Sequence, residues 1–268
     1  MPLIREEKPN SLPEFLSLIE ELQNNAEERL WYRGCGRGSY TLLPTLYRHK
    51  KAKSPDELTE LERKLITQFT QRSLPYLQRP LTEEWDTLFF MQHYGIPTRL
   101  LDWTENPFTA LHFALLGAPY KVKRGKLTYK ENAAVWILDP VKWNRHALSH
   151  QSYGGGALTT GDEPLKGYKP FLPILGMNKY PVALYGAHNS PRIVAQQGVF
   201  TIFGQNRIPM EKLFETDSFP ENSLVRVTIL NAVIGSMRNS LLRHGITETV
   251  VFPDLEGLAL EIKRSFDF

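Results

Sequence analysis

Three short stretches of the sequence concentrate side chains that could bind an anion or stabilise a charge. The first reads WYRGCGRG and places Arg33 and Arg37 among glycines that include Gly34. A guanidinium can bind a phosphate or carboxylate through two parallel hydrogen bonds, and glycines let the backbone approach closely. This spacing matches neither the dinucleotide fingerprint nor a P-loop. We predict an anion-binding Arg33 at the end of a short strand around residues 30–32; a structural arginine that ties the strand to the loop is the alternative.

The second stretch reads MQHYGIPTRLLDWTENPFTALHFA and interrupts an apolar texture with polar side chains. Strand side chains alternate between two faces, so Asp102 and Thr104 are expected on one face and Trp103 on the other. Each polar residue also has a structural interpretation. His93 would close a helix, Asp102 would pair with Arg99, and Thr104 or Asn106 would cap the next helix.

The third stretch reads PRIVAQQGVFTIFGQN and carries two adjacent glutamines before an apolar strand. If both glutamines lie in the strand, only one of Gln196 and Gln197 can face a given cleft. Glutamines at a solvated strand edge are the alternative.

The elements that must position these residues are signposted by caps and periodicity. Ser11 with Glu14, and Ser54 with Glu57, predict two helix N-termini. A third helix is expected at about residues 83–94, and a buried apolar helix after Asn106-Pro107. Later strands are expected at AVWIL, VFTIF, LVRVTI and TVVF, the last two alternating with helices near residues 232–243 and 255–266.

Residues 149–187 carry no lasting periodicity and are rich in glycine, proline and aromatic side chains. Such long irregular stretches are commonly functional or mobile, so we expect an insertion here that could cover the site as a lid. The chain is otherwise interpreted as one α+β domain with a helical N-terminal part. Residues 1–28 would form an N-terminal capping helix and residues 29–268 the main domain.

Composition excludes several classes of protein. Of 268 residues, 32 are Lys or Arg and 29 are Asp or Glu, giving a net charge of +3 that does not indicate a dedicated nucleic-acid binder. The single cysteine, Cys35, excludes an internal disulfide and a cysteine-cluster metal site. No secretion signal or membrane-length apolar run is present, so a cytoplasmic protein without membrane association is expected.

Four motifs together resemble the FRG domain family, which is widespread in bacteria and has no well-defined activity. They read WYRG, QHYGIPTRLLDWTENPFTALHFA, QQGVFTIFG and VFPDLEGLA, and extend from about residue 31 to residue 260.

The order of motifs is more distantly similar to Arg-Ser-Glu-class ADP-ribosyltransferases, which implies a split β-sheet core and NAD as a substrate without a metal. By this resemblance Arg33 clamps NAD, Thr104 or Asp102 holds the middle position, and Gln197 or Gln196 holds the third. Further expected NAD contacts are Gly34, Arg37, His93, Tyr94, Arg99 and Trp103, with His93 and Arg99 as supports.

Two departures from that class bear on activity: DWT replaces the Ser-Thr-Ser motif, and glutamine replaces the glutamate. Losing such a charge commonly costs about 3 kcal/mol, or roughly 100-fold in rate. Asp102 could supply the missing negative charge. Asp254 and Glu256 are further candidate carboxylates, although they are also explained as the acidic first turn of the C-terminal helix.

The resemblance implies an ADP-ribosyltransferase or NAD glycohydrolase, with roles as a toxin or phage-defence effector. Its partners would be a protein or nucleic-acid acceptor and a cognate inhibitor or activator protein. The alternatives are a non-catalytic module that binds a nucleotide, ADP-ribose or nucleic acid, and a metal-independent hydrolase that uses Asp102 and His93 as an acid–base pair.

Overall fold

A mixed seven-stranded β-sheet with helices on both faces organises the chain in the computed structural model. The structure describes residues 3–77, 81, 83–123, 126–187 and 191–266. The strands of this sheet are β1 Arg5–Glu7, β2 Trp31–Cys35, β3 Leu100–Thr104, β6 Ala133–Leu138, β7 Val182–Leu184, β8 Gly198–Ile202 and β9 Leu224–Ile229. Their order is β1-β9-β6-β2-β3-β8-β7, and β4 Tyr120–Lys123 pairs with β5 Lys126–Tyr129 in a separate hairpin.

Ten α-helices are present in these described ranges. They are α1 Leu12–Asn24, α2 Pro55–Ser73, α3 Glu84–His93, α4 Pro107–Leu116, α5 Pro140–Ala147, α6 Pro191–Gln196, α7 Met210–Thr216, α8 Asn231–Arg243, α9 Glu248–Val251 and α10 Leu255–Ser265. None of those described is long and apolar enough to span a membrane.

The predicted helix starts are confirmed by their caps. Ser11 Oγ accepts a hydrogen bond from the Glu14 amide at the start of α1. At the start of α2, Ser54 and Glu57 form a reciprocal capping box, which satisfies amides that lack partners within the helix. The buried apolar helix after Asn106 is likewise present as α4.

The sheet is buried on both faces, which is why β6 is apolar throughout. Trp136 and Leu138 belong to one core cluster, and Val135 and Ile137 to the other. The second cluster includes side chains of α1, α4 and α8, so the N-terminal helix packs into the same core as the sheet. Strand β1 also joins that sheet, parallel to β9.

Two predictions about local structure are wrong, and the strand placement considered for the two glutamines does not hold. Strand β2 continues to Cys35, so Arg33 lies inside a strand rather than at its end. The segment TVVF forms the short helix α9 and its C-terminal cap, and Glu248 in α9 is buried against Arg264. Gln196 ends α6 and Gln197 follows with a φ of 47°, so neither glutamine belongs to β8.

The irregular segment 149–187 packs against one face of the sheet. Its buried hydrophobic side chains before β7 belong to the core cluster that contains Trp136, and they are Leu158, Leu165, Tyr168, Ile174 and Met177. The segment also contributes β7 at the sheet edge. This segment therefore contributes to the core of the fold.

One junction in the sheet is much weaker than the others near it. Strands β2 and β3 share the single register pair Tyr32–Thr104, whereas β2 with β6 and β3 with β8 each align over five pairs. The two central strands therefore diverge from this pair, and the space between them opens toward α3, α4 and α6.

Candidate functional site

A pocket of about 390 Å³ lies where β2 and β3 diverge, and we call it the β2–β3 pocket. Its volume falls within the roughly 300–1,000 Å³ typical of small-molecule sites. Strands β2, β3 and β8 and helices α3, α4 and α6 all contribute to its wall. The polar lining residues are Tyr32, Arg33, Gln92, His93, Asp102, Thr104, Arg192 and Gln196.

Arg33 bridges the diverging strands. Its Nη1 donates to the backbone carbonyl of Asp102 and lies 3.8 Å from the Asp102 carboxylate. Its Nε is buried and has no hydrogen-bond partner in the described structure. The side chain is about one quarter exposed, so this guanidinium is held in place while part of its donor capacity faces the pocket.

Among the described residues, Asp102 is the carboxylate that lines this pocket, and a side chain of α3 orients it. Both of its carboxylate oxygens accept from Gln92 Nε2, at 2.9 Å each. Gln92 is fixed in turn because its Oε1 accepts from the Thr98 hydroxyl. The Asp102 side chain is 55% exposed, so it can contact a ligand directly.

Thr104 lines the pocket but its hydroxyl is already engaged. The Oγ1 atom donates to the Gln196 carbonyl and accepts from the Asn106 amide at 3.0 Å. These bonds tie the end of β3 to the end of α6, and Asn106 itself caps α4. Trp103 also borders the pocket, although its ring is buried and its Nε1 donates to Thr201.

The glycine at position 34 is required by the packing of β2 on α4. A Cβ there would lie 1.8 Å from the Ala110 carbonyl oxygen and 2.8 Å from the Ala114 amide nitrogen. The close approach that the glycine permits is therefore to a helix backbone. Gly34 also forms part of the pocket wall.

The electrostatic environment of the pocket favours an anion. Arg192, from α6, forms no ion pair within the described part of the chain and stacks on the Phe252 ring at 4.5 Å. Burial and the nearby Arg192 charge lower the pKa of His93 below its usual value, so a neutral imidazole is favoured near pH 7. Arg33 and Arg192 thus outnumber the single carboxylate among the described lining residues.

Four of the predicted site residues lie outside this pocket. Arg37 is an exposed residue paired with Glu131 at 2.8 Å. Tyr94 is 66% exposed and borders a different groove, near the C-terminal end of α2. Gln197 is exposed and does not line the pocket, so Gln196 is the glutamine that does.

Arg99 is the fourth, and the structure places it in a buried polar cluster. Its Nε donates to Glu62 at 2.7 Å, and its Nη1 and Nη2 donate to the carbonyls of Phe203 and Tyr168. The side chain is fully buried, so direct contact with a pocket ligand is excluded. The predicted pair of Arg99 with Asp102 is also wrong.

Other candidate groups have structural roles. Asp254 caps α10 by accepting from the Gly257 amide, and Glu256 lies in the first turn of that helix, as the structural interpretation predicted. Burial raises the pKa of the Cys35 thiol, and the nearby Arg33 charge only partly offsets this. No group of three or more His, Cys, Asp and Glu residues is arranged to hold a metal ion in the ranges that the structure describes.

Sequence reasoning did not assign three of the residues that shape the pocket. Gln92 orients Asp102, and its position next to His93 in the second polar stretch could have identified it as a site residue. Arg192 and Phe113 lie on helices α6 and α4, and only the packing of these helices determines which of their side chains face the pocket. Nothing in the local sequence distinguishes Arg192 from a solvated helix residue.

Comparisons with known proteins add one finding. No curated protein and no solved structure shows a significant match to the chain. The family model of the FRG domain matches residues 28–121, a range that runs from β2 through α4 and includes Arg33, Asp102 and Thr104. The FRG resemblance of the sequence motifs is therefore confirmed over residues 28–121.

Proposed function

We propose that the chain is an NAD-consuming enzyme, an ADP-ribosyltransferase or NAD glycohydrolase, whose reaction takes place in the β2–β3 pocket. One observation carries the proposal: the Arg33 guanidinium and the exposed Asp102 carboxylate lie side by side across the diverging strands. A dinucleotide needs a cation for its pyrophosphate, and cleavage of its nicotinamide–ribose bond needs a negative charge beside the ribose.

The shape of the sheet supports this proposal. In the ADP-ribosyltransferase-like arrangement that the motif order resembles, the β-sheet core is split. Here the single register pair between β2 and β3 gives the sheet an opening that is bordered by Arg33 on one strand and Asp102 on the other. The opening is also bordered by Gln196, at the position where the resemblance expects the third motif.

The proposed roles follow from charge. Arg33 and Arg192 bind the pyrophosphate, Arg33 through the donor capacity left by its bond to the Asp102 carbonyl. Asp102, held by Gln92, stabilises the positive charge that develops on the ribose. Because Gln92 fixes both carboxylate oxygens before ligand arrives, little reorganisation accompanies the reaction.

The reaction itself is a substitution at the ribose C1′ atom. The bond to the nicotinamide nitrogen breaks and its electron pair leaves with neutral nicotinamide. A lone pair from water, or from a nucleophile of a protein or nucleic-acid acceptor, forms the new bond to C1′ and that nucleophile loses its proton to solvent. The choice between these nucleophiles decides between glycohydrolase and transferase.

A second candidate function is non-catalytic binding of NAD or ADP-ribose. The observation in its favour is that no glutamate is present among the described residues that line the pocket. Gln196 can orient a ribose hydroxyl but carries no charge, and its Nε2 already donates to the Val251 carbonyl. Under this candidate Asp102 would orient ligand without accelerating cleavage.

Release of nicotinamide from NAD by the purified chain separates the two candidates. We expect turnover in the parent and a loss of about 100-fold in Asp102→Asn, the magnitude typical of removing one stabilising charge. Asparagine can still accept from Gln92, so the fold should be retained. Asp56→Asn is the matched control, since Asp56 is an exposed carboxylate in the first turn of α2.

The assay is repeated with cell lysate as a source of acceptor. NAD binding without release in either format would overturn the enzyme proposal and support the binding module. Equal release by Asp102→Asn and the parent would show that Asp102 does not supply the catalytic charge.

A further inference from the structure

A second pocket, of about 1,010 Å³, lies on the other side of α4 from β2, and we call it the His112 pocket. It is bordered by α4, α8, α9, α10 and the β4–β5 hairpin. It shares one residue, Phe113, with the β2–β3 pocket. The FRG match ends at residue 121, so α8, α9 and α10 lie beyond it.

Two buried polar atoms that line this second pocket have no hydrogen-bond partner in the described structure. They are His112 Nδ1 and Arg238 Nε. The His112 residue is only 2% exposed. Burial lowers the pKa of His112 to about 4, although Glu248 and a hydrogen bond to the Ile246 backbone partly offset this, so the ring is neutral at pH 7. Buried polar groups of this kind are normally satisfied, which indicates a partner that enters the pocket.

The charges around the pocket do not balance. Glu248 is 4% exposed and both of its oxygens accept from Arg264 Nε, so these two residues neutralise each other. Arg238 and Lys263 line the same pocket and form no ion pair within the described ranges. Two positive charges are therefore left without a protein counter-charge.

The rest of the pocket is aromatic and aliphatic. The Phe113 and Phe252 rings meet edge to face at 5.6 Å between centroids, and His112 contacts both of them. Leu116 and Leu260 extend this apolar wall. Aromatic rings pack favourably against such edges and faces, so the wall suits a flat ring with one polar edge.

We propose that the His112 pocket binds an aromatic phosphate monoester. Its ring lies against the rings of Phe113, Phe252 and His112, and its dianionic phosphate pairs with Arg238 and Lys263. Two unpaired cations match a dianion better than a monoanion, which selects phosphate over carboxylate. This site is independent of NAD cleavage, although Arg192 on the Phe252 ring and the shared Phe113 join its wall to that of the β2–β3 pocket.

Isothermal titration with 1-naphthyl phosphate tests the proposal. We expect saturable binding to the parent, and a loss of about 10-fold or more in Arg238→Gln, as for a hydrogen bond to a charged group. Lys263→Gln should lose affinity by a smaller factor because Lys263 is exposed. Arg243→Gln, an exposed arginine at the end of α8, is the matched control and should bind as the parent does.

Two further arms make the result specific. Arg33→Ala should bind 1-naphthyl phosphate as the parent does, which separates this site from the β2–β3 pocket. Inorganic phosphate and 1-naphthoate should each bind at least 10-fold more weakly, because one lacks the ring and the other lacks the second charge. The proposal is overturned if folded Arg238→Gln and Lys263→Gln bind as Arg243→Gln does, or if 1-naphthoate binds as tightly as the phosphate.

Discussion

Arg33 lies in β2 and Arg99 immediately precedes the neighbouring strand β3, but their guanidinium groups are used differently. Arg99 donates from all three of its nitrogens to Glu62 and two backbone carbonyls, in a region without solvent access. Arg33 donates to the Asp102 carbonyl, keeps its Nε without a hydrogen-bond partner in the described structure and remains partly exposed. The Arg99 guanidinium finds its hydrogen-bond partners within the protein, whereas the Arg33 guanidinium retains donors that can bind a ligand.

This difference explains why position in the sequence is a poor guide to function. Arg99 lies three residues before Asp102, yet its partners are 37 to 104 residues away. Arg33 is 69 residues from Asp102, yet contacts it across the opening between β2 and β3. An arginine whose donors are unsatisfied beside a pocket is the better candidate for binding a phosphate.

The largest effect on stability is expected when the buried ion pair between Arg99 and Glu62 is broken. Glu62→Ala should lower the free energy of unfolding by about 3–5 kcal/mol, because it leaves the Arg99 charge buried without a counter-charge. Urea unfolding followed by circular dichroism measures this. Glu60→Ala, whose partner Lys64 is exposed on the same helix, should change stability by less than about 1 kcal/mol. Equal effects of the two variants would mean that the Arg99 cluster does not stabilise the fold.

A smaller change in the free energy of unfolding is expected when the pH is lowered, because His112 is buried in its neutral form. Its pKa of about 4 in the folded chain is below the usual value of about 6.5, chiefly because of burial, while Glu248 partly offsets the change. As pH falls below 6.5, the unfolded chain therefore binds the proton first and stability is lost until about pH 4. Between pH 7 and pH 5 we expect this group to remove about 2 kcal/mol of unfolding free energy.

The His112→Gln variant isolates that contribution. Urea unfolding at both pH values should show a smaller loss in the variant than in the parent, by approximately that amount. Identical losses would show that His112 is not held neutral in the folded chain.

The smallest effect on stability is expected from Thr104. Like Arg33 it borders the pocket, but like Arg99 its polar group is hydrogen bonded within the protein. Thr104→Val removes the bonds to the Gln196 carbonyl and from the Asn106 amide, so stability should fall by about 1–2 kcal/mol. Thr104→Ser retains the hydroxyl and should therefore keep most of the stability that Thr104→Val loses. If Thr104→Val weakens NAD binding while leaving the melting temperature unchanged, the hydroxyl acts on ligand rather than on the junction of β3 and α6.

Local signals in the sequence predicted much of the framework. The capping box at Ser54 and Glu57 set the start of α2, and alternation along LDWT separated the exposed Asp102 from the buried Trp103. These features depend on neighbours within a few residues, and therefore on information that the local sequence contains.

Features that depend on packing were missed. The β-branched and aromatic run TVVF resembles a strand, yet it forms most of α9 and its C-terminal cap, and Glu248 of this helix is buried against Arg264. The two glutamines looked like part of β8, but the left-handed turn at Gln197 separates them from it. Long-range partners also decide the roles of Arg99 and Gln92, and no spacing within the sequence reveals them.

The most direct test of the account compares NAD affinity in Arg33→Ala and Arg37→Ala by isothermal titration. Arg37 belongs to the same arginine–glycine motif, but it is exposed and paired with Glu131 outside the pocket. The account predicts that Arg33→Ala binds NAD at least 10-fold more weakly than the parent and that Arg37→Ala binds it equally well. Equal NAD affinity in the two folded variants would contradict the assignment of Arg33, and with it the β2–β3 pocket, to NAD.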